Sequence, residues 1–175
     1  MELKLKNWEI EIAAGIYRKF GPVRDVQTKW YISDNLGVLS GIVDRLAEIK
    51  KTPQELIDYN KKNEEIAGKF GTKIGSLVSP NGEVIPKYEF HDSKGYAGAL
   101  KKLNEEYKSS IEYEPKRRDD IKNILDKEVT VNLVPLAYDT ISDLIDANEL
   151  AFMRKFGLVV SSLNSQSEDK VATMN

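Results

Sequence analysis

Cysteine is missing from this chain altogether, which excludes disulfides, thiolate zinc sites and cysteine nucleophiles, and suits an intracellular origin. Histidine occurs once, at His91 between Phe90 and Asp92. With no metal-spaced companion and no serine motif, it reads as a surface or cap residue and not as a base. Long apolar runs are also lacking. None approaches the roughly 20 residues that a membrane span needs, and the opening MELKLKNWEIE has no secretory core. An excess of one charge is missing too, because 26 basic residues face 28 acidic ones for a net charge of -2. Such a balance gives no dense positive face on which to track phosphates. Gly68, Gly71, Gly75, Gly82, Gly95 and Gly98 match neither the dinucleotide nor the P-loop spacing. Glu64 with Glu65, Glu105 with Glu106 and Asp119 with Asp120 are adjacent pairs, and adjacent acids on a helix point to different parts of its surface. No catalytic, cofactor or metal residue is therefore expected, and the chain reads as non-enzymatic.

What is present is apolar periodicity. The 175 residues are 41% hydrophobic, enough for one core, and the longest apolar stripe lies in the stretch from Val26 to Phe70. Ile32, Leu36, Leu39, Val43, Leu46 and Ile49 recur in steps of three and four, which keeps them on one helical face and predicts that this face is buried. Asp34, Ser40, Asp44, Arg45, Glu48 and Lys51 solvate the other side. Thr52, Pro53 and Glu55 spell a restart, with a hydroxyl cap, proline at the first helical position and Glu to return the capping bond. The second stripe runs through Leu56, Tyr59, Asn63, Ile66 and Phe70, and Gly71 is expected to end it in the left-handed conformation. This stretch is expected to organise the rest of the chain.

Before it, Leu3 and Leu5 alternate with charged residues as a short strand, and Asn7 is placed to cap a helix with Trp8, Ile12, Ile16 and Phe20 four apart on its apolar side and Ala13 and Tyr17 beside them, stopped by Gly21 and Pro22. After it, Ile74, Leu77, Val78, Val84, Ile85, Tyr88 and Phe90 flank Ser79-Pro80-Asn81-Gly82, a β-hairpin signal in which Pro86 confines the second strand to an edge. Asp92 or Ser93 caps the next helix, striped with Tyr96, Leu100, Leu103, Tyr107 and Ile111, and Pro115 is expected to interrupt it before a short helix at Ile121 to Leu125. Lys116, Arg117 and Arg118 are offset by Asp119 and Asp120 and read as a solvated face. Val129, Val131 and Leu133 predict a strand to partner the N-terminal one; Asp146 and Glu149 cap a helix bearing Leu150, Met153 and Phe156, closed by Gly157.

The pattern predicts an α+β fold, mainly α. An antiparallel long-helix hairpin carries a β-hairpin at its tip, and a small antiparallel sheet lies near the chain ends. One mainly helical domain is expected over residues 1–160, with a flexible polar tail over 161–175. Helices of this kind need a partner face, in this chain or another. The residues expected at a protein contact are the hairpin tip, Pro80, Asn81 and Gly82, together with Val84, Tyr88 and Phe90, taken as exposed.

The segments MELKLKNWEIEIA, PVRDVQTKWYISDNLGVL and EVTVNLVPLAYDTISDLIDANELAFM resemble a family of small proteins encoded by phages and prophages of Gram-positive bacteria. Its members open on a lysine-rich LKN-type segment, continue from a proline-valine pair to an NL-containing helix, and finish with a strand and a helix rich in Leu, Phe and Met. The likeness covers about half of the chain, both ends and the start of the long helix. The restart at Thr52 to Glu55 and the longer segment from Ser109 to Asp120 depart from it. The family has no established activity, so the resemblance implies a phage origin and supplies no catalytic residues. The function expected is a virion, tail or assembly component that works through protein contacts; the alternative is a small inhibitor that binds a host defence or transcription protein. The partners expected are a second copy of the chain or another phage or host protein, with no nucleic acid and no membrane, in the host cytoplasm or the virion.

Overall fold

The computed structural model describes residues 1–78 and 84–161. Pro80, Asn81 and Gly82, and the tail beyond residue 161, lie outside the described residues. In chain order the elements are β1 (Glu2–Lys6), α1 (Asn7–Lys19), α2 (Val26–Lys50), α3 (Gln54–Phe70), β2 (Gly71–Val78), β3 (Val84–Phe90), α4 (Ser93–Glu106), α5 (Lys108–Leu125), β4 (Glu128–Asn132), β5 (Leu136–Ala137), α6 (Tyr138–Ile141), a 3-10 turn at Ser142–Leu144, α7 (Ala147–Lys155) and β6 (Val159–Val160). The fold is α+β and mainly α, with small sheets. Within residues 1–160, read from the sequence as one domain, the chain forms two compact units: Met1–Lys50 with the chain from Ile121, and Lys51–Asp120.

In the first unit β1 pairs antiparallel with β4, Leu3 opposite Val131 and Leu5 opposite Val129, which is the small sheet that the alternating residues predict. Beyond the strands, the Met1 ammonium donates to the Leu133 carbonyl at 2.8 Å and the Leu133 N–H donates to the Met1 carbonyl at 2.9 Å. A second pairing, β5 parallel to β6 with Leu136 opposite Val159, has strands of two residues, too short to show an alternation in the sequence.

The core of this unit is built on α1, not on the stretch from Val26 to Phe70, which is divided between the two units. Ile10, Ala13, Ala14, Tyr17 and Phe20 are buried, whereas Trp8 and Ile12 are 37% and 42% exposed. Of the expected four-residue stripe, Ile16 and Phe20 are buried and Trp8 and Ile12 are not, for a geometric reason. At 3.6 residues per turn each such step drifts by about 40°, so Trp8 and Ile12 rotate away from the face that holds Tyr17. Asn7 is the first helical residue and not the cap; its side-chain amide donates to the Ile124 carbonyl at 2.7 Å. On α2, Ile32, Leu39 and Leu46 are buried as expected, but Leu36 and Val43 are half-buried, Ile49 is exposed, and the polar Thr28 and Asn35 occupy the buried face. Asp25 caps α2, its carboxylate accepting from the Thr28 N–H at 2.6 Å, and the Thr28 side chain first, with that N–H second, holds the Asp25 carboxyl below the usual range.

In the second unit α3 and α4 run antiparallel on either side of the β2–β3 hairpin. The Tyr59 hydroxyl donates to Asn104 at 2.9 Å, and Lys62 pairs with Glu106 at 2.6 Å. Among the described residues the buried apolar ones here are few, namely Leu56, Ala67 and Leu103. Several local expectations shift. Pro53, without a side-chain bond, stands at the cap where Thr52 was expected, because its own carbonyl takes the first N–H groups, from Leu56 and Ile57. Gly71 is extended, at φ -151°, and opens β2. α5 continues through Pro115, and the break falls at Tyr107 instead. Proline removes one helical hydrogen bond, but side chains brace the turn around it. Arg117 and Arg118 both bind the Glu114 carboxylate, at 3.1 and 3.0 Å, and Arg117 also donates to the Lys51 carbonyl at 2.8 Å. Arg117 is thus a structural residue, its side chain 12% exposed, and the basic cluster is not simply a solvated face.

Candidate protein-contact site

β2 and β3 pair from Gly71 opposite Phe90 to Val78 opposite Val84, with an irregularity between Lys73 and Gly75. Alternation along β3 puts Val84, Pro86, Tyr88 and Phe90 on one face and Ile85, Lys87 and Glu89 on the other. The first face turns toward the helices. Its base is aromatic: Tyr88 stacks on Phe90 with centroids 6.2 Å apart, and Phe90 on Tyr96 of α4 at 4.2 Å. The Tyr96 hydroxyl donates to Asn63 of α3 at 3.2 Å. Tyr88 and Phe90 are therefore half-buried, not the exposed side chains expected, because this stack ties the hairpin to α4. Asp92 caps α4 as predicted, accepting from the Gly95 N–H at 2.8 Å. His91 is exposed, and its N–H donates to the Phe70 carbonyl at 3.1 Å.

Above the stack lies an open groove of about 630 Å³, walled by Asn60, Asn63 and Ala67 of α3 and by Val84, Pro86 and Tyr88 of β3. It holds three of the six residues expected at a contact, Val84, Tyr88 and Phe90; the other three lie outside the described residues. What the sequence reading passed over is the rest of the hairpin surface. Ile74, Leu77, Val78 and Ile85 are 52%, 59%, 72% and 49% exposed, beside the expected Val84 at 67%. Their alternation marks them as strand residues, but alternation assumes that one face is covered, and in β2 every residue after Gly71 is exposed.

No family model, curated protein or solved structure matches the chain.

The chemistry that this surface offers is apolar and hydrogen-bonding. Among the described residues no group of His, Asp or Glu is arranged to hold a metal ion, and no helix is long and apolar enough to cross a membrane. Near the groove, burial raises the Tyr59 phenol above its usual range, and Tyr96 adds to the shift. It stays a neutral donor to Asn104.

Proposed function

We propose that the chain is a non-enzymatic phage protein that works through protein–protein contacts, as a virion, tail or assembly component, and that the β2–β3 hairpin is its contact element. The observation that carries this reading is the cluster of five large aliphatic side chains, each about half exposed or more, on one two-stranded ribbon. Exposed apolar side chains gathered at one end of an element mark an interaction site; here they lie on both faces of the ribbon, and a two-stranded ribbon gains little stability in water without a further layer. The phage setting rests on the resemblance of the chain ends, and it places the protein in the infected host's cytoplasm or in the particle.

The test is a bait experiment in extract from phage-infected cells, with the whole chain and a Val84→Ser/Ile85→Ser variant. Both substitutions lie at the outer end of β3, away from the aromatic stack. The wild type is expected to retain a defined set of phage proteins, the variant to lose them, and the far-UV spectra of the two to agree. Equal retention by both chains would exclude the hairpin as the contact element.

A further inference from the structure

The hairpin is a two-stranded sheet, so it has two outer edges, and they differ in chemistry. The edge of β3 carries Pro86 and Lys87, a missing donor and a charge, the devices that prevent a further strand from adding on. The edge of β2 has little of either. From Ile74 to Gly82 the sequence contains no charged residue, and Thr72 to Val78 are all exposed.

The register also says which groups β2 presents. Ser76 lies opposite Pro86. Proline fits a ladder where its nitrogen points away from the neighbouring strand, and in an antiparallel pair the two opposed residues share that orientation. Ser76 thus directs its own N–H and C=O to the outer edge, and Val78, two residues on, does the same.

We propose that β2 pairs antiparallel with β2 of a second copy of this chain, Ser76 opposite Ser76, to give a four-stranded sheet in the order β3-β2-β2-β3. This rests on the protein-contact reading above and names its partner. Charge favours the second copy in this orientation. Lys73 is the one charged residue of β2. Antiparallel pairing about Ser76 sets the two lysines six residues, about 20 Å, apart along the sheet, whereas a parallel pair in register would stack them. The same register brings Ile74 opposite Val78 of the copy, two apolar cross-strand pairs related by the two-fold axis. Four strands also exceed the three at which a sheet becomes independently stable.

The absence of cysteine gives a clean test in the full chain. In the proposed register the two Ser76 Cα atoms lie about 5.5 Å apart, within disulfide reach. A Ser76→Cys variant should form a covalent dimer under mild oxidation, and Lys73→Cys should not. In sedimentation velocity the wild type should be a reversible dimer, and Ser76→Pro should be a monomer with an unchanged far-UV spectrum, because the N–H that it removes faces away from β3. A wild type that stays monomeric overturns the proposal, as does Ser76→Cys crosslinking no faster than Lys73→Cys, or a dimer that Ser76→Pro leaves intact. Should Ser76→Pro unfold, the two cysteine variants decide the matter. A monomer that still retains phage proteins in the bait experiment removes the self-pairing and leaves the contact reading standing, with a foreign strand as the occupant.

Discussion

Asn35 is 1% exposed on α2, and its amide meets both backbone polar groups of Val134, donating to the carbonyl and accepting from the N–H at 2.8 Å each. It does for the irregular segment after β4 what a neighbouring strand would do. Replacing it with Leu keeps the volume but leaves two backbone groups without partners, each costing about 1–3 kcal/mol. Asn35→Leu should therefore destabilise the chain by about 2–5 kcal/mol in urea denaturation. The Tyr17 hydroxyl beside it is buried with no hydrogen-bond partner, and burial raises its pKa against a smaller opposing effect from Asn35, whose amide is committed to Val134. At the surface, Asp146 caps α7, accepting from the Asn148 and Glu149 N–H groups at 2.9 Å each. The Glu149 N–H is the main cause that holds its carboxyl below the usual range. Because the folded value is depressed, the stabilisation is complete above the unfolded value of about 3.9 and is lost as the pH falls through the folded one. Asp146→Asn keeps an acceptor without the titration, so its melting temperature should fall less than the wild type's between about pH 5 and pH 2.

The junction of α3 and β2 is one element that requires glycine. A Cβ on Gly71 would lie 2.8 Å from the Glu89 carbonyl oxygen and 2.9 Å from the Phe90 ring. It is the close approach of β3, and not a left-handed turn, that demands glycine here. Gly71→Ala should cost about 1–3 kcal/mol through overpacking and should loosen the Phe90–Tyr96 stack, which near-UV circular dichroism will register. At Gly157 the φ of +64° does require glycine, and the helix ends there as the sequence predicts. The caps at Asp92 and at Asp146 with Glu149 were legible for the same reason: a side chain bonding to its own first turn is a local event. The cap at Pro53 and the unbroken run of α5 past Pro115 were not, because they depend on a main-chain carbonyl and on arginines that reach Glu114 and Lys51.

Across the whole molecule the two units differ in how much they bury. One continuous cluster extends from Leu5 through Tyr17, Leu39 and Leu136 to Leu158, all within the first unit. The second unit has, among the described residues, Leu56, Ala67 and Leu103 buried, with half-covered aromatic contacts such as Phe90 on Tyr96 and surface pairs such as Lys62 with Glu106, the last contributing little in water. Local stability follows buried apolar contact. Hydrogen exchange should find the amides of α1 the most protected in the chain and those of α3 and α4 exchanging well before them; equal protection would mean that the units open as one. The two ends of the second unit meet where Arg117 binds the Lys51 carbonyl, as expected of a segment inserted between two parts of another unit.

The sequence by itself determined the long helical stretches, the β-hairpin, the pairing of the N-terminal strand with Val129–Leu133, and the caps at Asp92, Asp146 and Gly157, because periodicity and side-chain capping are local properties of the chain. Only the tertiary structure decided which helix holds the core, that Asn35 serves a distant backbone, and that Tyr88 and Phe90 are half-buried while Ile74, Leu77 and Val78 are exposed. A stripe of apolar residues says that a face seeks cover. Whether cover arrives from within the chain depends on contacts between residues far apart in sequence, and along β2 every residue after Gly71 is left exposed.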